Sequence, residues 1–160
     1  GLAQGRNYFR WVEYSISSSV MIVLIVQICG ISDAAALIAI FGVNASMILF
    51  GWLQEKYEKP GSGRMLPFLF GCITGIVPWL IIVLYVIAPN SAMEVSPPGF
   101  VYGIVVSLFV FFNCFAIVQW LQYKKKPINY LSGEKTYIVL SLVAKSLLAW
   151  QIFSGTLIPQ

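Results

Sequence analysis

Histidine is absent from this 160-residue chain. That absence removes the commonest zinc sites, any histidine-based triad and any imidazole proton shuttle. Charge is almost as scarce: only 10% of the residues are Asp, Glu, Lys or Arg, against about a quarter in soluble domains. Cysteine is limited to Cys29, Cys72 and Cys114, an odd number set far apart in apolar sequence, which reads as small lipid-phase residues rather than as disulfides or ligands. What fills the chain instead is 59% hydrophobic residues, with a mean hydropathy of +0.83. The solvent for such a chain is lipid. Soluble-enzyme chemistry and nucleic-acid binding have nothing to work with, so no enzymatic activity is expected.

Length then bounds the architecture. A bilayer crossing takes about 20 apolar residues, so 160 residues amount to about five crossings in one transmembrane domain, 1–160. The apolar runs predict an all-α, polytopic bundle with spans near 8–30, 34–54, 66–88, 99–122 and 136–158. Punctuation agrees with this division: Ser32 or Asp33 can cap the second helix, Pro60, Gly61 and Gly63 lie in a charged link, and Pro89 and Pro98 bound a polar one. No signal peptide is legible at the start, and further sequence is expected upstream.

Nine of the ten basic residues fall on one side of this topology: Arg6 and Arg10, then Lys56, Lys59 and Arg64, then Lys124, Lys125, Lys126 and Lys135. The links on the other side carry none. The positive-inside rule therefore predicts a multi-pass cell-membrane protein whose first visible end is cytoplasmic and whose C-terminus is extracellular. The lysine run 124–126 reads as a topology anchor in contact with lipid headgroups.

The tenth basic residue is Lys145, near the middle of the last span, where a charged lysine costs about 2.5–3.5 kcal/mol. Its depth is too great for snorkelling. Glu13 is the one carboxylate that the sequence places inside an apolar span, and an ion pair at about 4 Å in an effective dielectric of 20 attracts by about 4 kcal/mol. Ser17 follows Glu13 by four residues and Ser141 precedes Lys145 by four, so each hydroxyl shares a helical face with a charge. Trp11, Tyr14, Trp79, Phe109, Phe112, Phe115 and Trp150 offer the flat lining that a long apolar ligand needs. A desolvated lysine is a nucleophile that condenses with aldehydes to a Schiff base, and retinal is the membrane aldehyde that fits, with Glu13 as the anion for the charged imine. A structural Glu13–Lys145 clamp without any cofactor accounts for the charges equally well.

The stretches RWVEYSISSSVMI (10–22) and LSLVAKSLLAWQIF (140–153) resemble the heliorhodopsins, a branch of the microbial rhodopsins. The resemblance spans the chain and implies that the five helices correspond to the third to seventh of a seven-helix fold, with the first two upstream. It implies that Lys145 carries all-trans retinal as a Schiff base and that Glu13 is the counterion. Ser17 and Ser141 would lie beside the imine, and Asn44, Met47 and Trp150 along the retinal. Arg10 and Gln151 would belong to surrounding polar networks. It further implies a light sensor with a slow photocycle, a homodimer, an unidentified signalling partner, and the same inverted orientation that the charges predict. Outward proton pumps carry carboxylates where this chain has Leu24 and Ser141, so pumping is not expected. A light-driven channel or transporter is the alternative, and the Leu- and Ile-rich span 66–88 offers it no polar file. Gly71 and Gly75 form a GxxxG spacing suited to close helix contact, within the chain or across a dimer. Pro78 reads as a kink beside the pocket or as a tolerated lipid-phase proline.

Overall fold

The computed structural model describes residues 7–59, 61–87, 99–124 and 129–157. Arg6, Pro60, Lys125, Lys126, the polar link around residues 89–98 and the tail after 157, on which part of the charge and punctuation argument rested, lie outside the described residues. Within them are five α-helices and no strand: α1 Tyr8–Ile28, α2 Ala34–Tyr57, α3 Leu66–Ile87, α4 Gly99–Tyr123 and α5 Tyr130–Leu157. All five are long and apolar enough to cross a membrane. Helices are what lipid demands, because a backbone with no water around it satisfies its N–H and C=O groups only within the segment.

The helix starts follow their caps. Asn7 accepts from the Arg10 N–H at 3.3 Å, and Asp33 Oδ2 accepts from the Ala36 N–H at 2.9 Å. At α5, Asn129 Oδ1 takes the Leu131 N–H at 3.0 Å. That last cap starts α5 at Tyr130, six residues ahead of the apolar run at 136. Its first two turns are polar, and hydropathy alone does not register them.

The bundle is sequential. α1 packs along α2, α2 along α3 and α4 along α5, while α4 meets α1 and α3 only sparingly. Between helices that lie in lipid the attraction is close packing rather than water exclusion, so small residues mark the contacts. Gly71 and Gly75 lie against Met47 and Phe50 of α2, which assigns the GxxxG spacing to packing within this chain. Gly51 faces the Trp11 indole and the Gln119 amide. Pro78 is buried inside an uninterrupted α3. The main apolar core joins Met21, Ile22, Ile25 and Val26 of α1 to Ile40, Trp79, Ile82, Ile104, Leu108 and Leu148, and fills the half of the bundle away from the basic links.

A Cβ at Gly51 would stand 2.5 Å from the Trp11 ring, whereas one at Gly42 meets nothing within 4 Å. Gly51→Ala is therefore expected to lose about 1–3 kcal/mol through overpacking, and Gly42→Ala to be neutral or to gain a few tenths. Thermal unfolding of the two variants side by side checks this.

Candidate functional site

α1 and α5 run in the same direction, and polar side chains hold them together. At the basic end, Arg10 forms ion pairs with Glu55 of α2 and Glu134 of α5. All three side chains are buried. Glu55 also accepts from the Trp11 indole N–H at 2.8 Å and from the Asn7 backbone, and Glu134 accepts from Asn7 Nδ2 at 2.9 Å. The guanidinium carbon sits 4.5 Å from the Trp11 ring centre and 4.3 Å from that of Tyr137. Tyr137, itself buried, stacks on Phe115 and donates to Gln122 Oε1 at 3.3 Å.

One turn further along, the Tyr14 hydroxyl donates to the Tyr137 carbonyl at 2.9 Å and lies beside Ser141. Beyond it comes the ion pair of Lys145 Nζ with Glu13. The long Lys145 side chain thereby meets a residue that starts nearer the basic end. Its side chain is 37% exposed and that of Glu13 is 49% exposed, on the open flank between α1 and α5.

The Lys145 side chain also lines a cavity of about 330 Å³, within the size range of ligand pockets. Trp11, Tyr14, Met47, Trp79, Phe109, Phe112 and Phe115 wall it, and Ser17, Ser18 and Ser141 supply hydroxyls near the lysine. Trp79 meets Phe109 and Phe112 edge to face at 5.3 and 5.5 Å, which fixes the far wall. The site is thus an aromatic-walled slot with a single amine in its lining.

The Heliorhodopsin family model matches residues 1–157. The chain belongs to the heliorhodopsins. No curated protein matches it. Heliorhodopsins are membrane photoreceptors of the microbial rhodopsin type, a group that generally binds retinal through a lysine.

Of the residues that the sequence pointed to, Lys145 and Glu13 are brought together, and Ser17, Ser141 and Met47 line the slot with six of the seven aromatics. Asn44 and Trp150 stand elsewhere. Asn44 is buried between α1 and α2, donating to Ser18 Oγ at 3.0 Å and Ser19 Oγ at 3.1 Å. Trp150 lies on the outer face of α5, two-thirds exposed, against Phe153. Gln151 accepts from Ser107 at 3.2 Å and ties α5 to α4.

The most deeply buried charges were not those that hydropathy picked out. Glu55 and Glu134 read as link residues in the sequence, yet they sit in the last turn of α2 and near the start of α5, more buried than Glu13. A signal for Glu134 exists: Glu134, Tyr137, Ser141 and Lys145 recur every three or four residues on one helical face, and Arg10, Glu13 and Ser17 do so on α1.

Arg10→Met leaves two buried carboxylates without their shared guanidinium and is expected to lose about 3–5 kcal/mol. Arg10→Lys recovers only part of it, since a compact ammonium lacks the fork that spans two partners. The melting temperatures of both variants test this, and an unaltered Arg10→Met would contradict it.

Proposed function

We propose that this heliorhodopsin is a retinal photoreceptor in which Lys145 holds the chromophore and Glu13 balances its charge. The observation that carries the reading is an amine in the lining of an aromatic slot, ion-paired to a carboxylate. The donor set fits the group: a nucleophilic amine, two neighbouring hydroxyls and an apolar, flat-walled volume suit a long conjugated aldehyde. Retinal bound through Lys145 Nζ supplies light absorption and photoisomerisation.

The chain's own residues do the rest. The Glu13 carboxylate stabilises a proton at Lys145 Nζ and is the nearest base to receive it. Ser17 and Ser141 offer hydroxyls to either partner, and Trp79, Phe109 and Phe112 restrict the far end of the slot. Beyond the ion pair, away from the basic end, the core of the described residues is Ile, Val, Leu and Met with Cys29, Trp79 and Ala144, and holds none of the Asp, Glu or His steps that proton relays use. That supports a sensor without net pumping, for which the family implies a slow photocycle. The five basic residues Lys56, Lys59, Arg64, Lys124 and Lys135 lie at the end of the bundle where α2 and α4 finish and α3 and α5 begin, which supports a cytoplasmic location for that end. The exposed Glu13–Lys145 flank supports two further helices covering it, since charge left against lipid is costly. A homodimer and a separate signalling partner complete the reading.

With all-trans retinal added to the full-length protein, a visible absorption band is expected that is lost in Lys145→Ala. In Glu13→Gln the band should bleach at a lower pH than in the parent, because the anion that favours the protonated nitrogen is gone. Ala144→Phe, which puts a ring into the slot at a buried position, should abolish the band while the helical circular dichroism persists. A well-folded parent protein without a visible band would refute the photoreceptor reading in favour of a purely structural ion pair.

A further inference from the structure

The link between α2 and α3 is pinned to the end of α4. The Gly63 N–H donates to the Tyr123 carbonyl at 3.3 Å. The buried Gln54 grips the same link from within: its Nε2 donates to the Arg64 carbonyl at 2.7 Å, and its Oε1 accepts from the Phe68 N–H at 3.3 Å. A turn closed by the Ser62 N–H on the Lys59 carbonyl at 3.0 Å, with left-handed backbone at Gly61 (φ 81°) and Gly63 (φ 73°), folds Lys59 back toward this point. Arg64 adjoins Gly63 and Lys124 adjoins Tyr123. One backbone hydrogen bond therefore makes neighbours of cations that are 60 residues apart in sequence.

These cations face outward. Lys59 and Arg64 are exposed and Lys124 is half-buried. The nearby carboxylates do not neutralise them: Glu55 and Glu134 turn inward to Arg10, leaving Glu58 as the one acid in the described part of the link. The level is that of lipid headgroups. Lys124 Nζ lies 5.6 Å from the ring centre of Trp120, and Lys56 Nζ lies 5.2 Å from that of Tyr57. Both rings are exposed, as aromatic residues are where a helix leaves the hydrocarbon.

We propose that the crease between the α2–α3 link and the C-terminal end of α4 binds the phosphate of an anionic phospholipid. Arg64 offers the planar fork that suits phosphate oxygens, Lys59 and Lys124 flank it as point charges, and Trp120 stands beside the upper acyl chains. The pinned link differs from a diffuse positive collar because its backbone is held at both Gly63 and Arg64, so the cations are gathered before any lipid arrives. The site is independent of Lys145 and of the chromophore.

The test is native mass spectrometry of the full-length protein in mixed micelles of phosphatidylglycerol and phosphatidylcholine. Phosphatidylglycerol should be retained in preference. Arg64→Gln with Lys124→Gln should weaken its binding about thirtyfold, at about a fivefold factor per cation, with the melting temperature unchanged. Lys135→Gln, on α5 rather than on the pinned link, should leave it as it was. Should the double variant fail to fold, Lys59→Gln alone is expected to weaken binding about fivefold, and no change there would overturn the proposal. Unchanged retention in a folded double variant would overturn it, as would an equal loss in Lys135→Gln. Displacement of the lipid by millimolar inorganic phosphate would reassign the crease to a soluble anion.

Discussion

A charge carried into a bilayer has to be met by another, and that requirement holds α1 beside α5 across more than a hundred residues of intervening chain. The two helices share little of the close backbone packing that joins α1 to α2 or α4 to α5. Arg10 to Glu134, Tyr14 to the Tyr137 carbonyl and Glu13 to Lys145 take its place. Each of these contacts is worth more in lipid than in water, because the alternative for each group is no partner at all. The cavity that Lys145 lines lies beside this polar seam, with Trp79 of α3 packed on Phe109 and Phe112 of α4 in its wall.

The seam is graded. At the basic end the guanidinium of Arg10 is enclosed by two carboxylates and two aromatic rings, all of them buried. Near the middle the Glu13–Lys145 pair stands half-exposed on the flank. Burial of the first makes it expensive to open, since a buried ion left without its partner carries the full desolvation cost. The second is bordered by little of this chain's own packing, so its two side chains can shift with less cost to the described core.

The number and placement of the helices were legible in the sequence, because a lipid crossing needs a long apolar run and the runs are separated by Gly, Pro and charge. Lys145 and Glu13 were legible for the opposite reason: they are the charges that no interface explains. What escaped was the role of charges near helix ends. Glu55 and Glu134 stand where exposed link residues also stand, and only the folded arrangement of three helices turns them inward toward Arg10. The start of α5 was placed late for the same reason, as its first turns are polar and are set by the Asn129 cap rather than by hydropathy. Asn44 and Trp150 came from the family resemblance rather than from a pattern in this chain; Asn44 meets two serines of α1, and Trp150 lies on the outer face of α5.

The parallel course of α1 and α5 makes α5 a lever. Its fulcrum is the enclosed contact of Glu134 with Arg10, and Lys145 and Leu157 lie about 16 and 34 Å along it at 1.5 Å per residue. A sideways displacement applied at Lys145 is therefore about doubled at Leu157, and it is largest at the end of the bundle farthest from the basic links. Gly155, whose missing Cβ lets Phe100 of α4 sit against the helix, is the contact at that end that such a swing would disturb first.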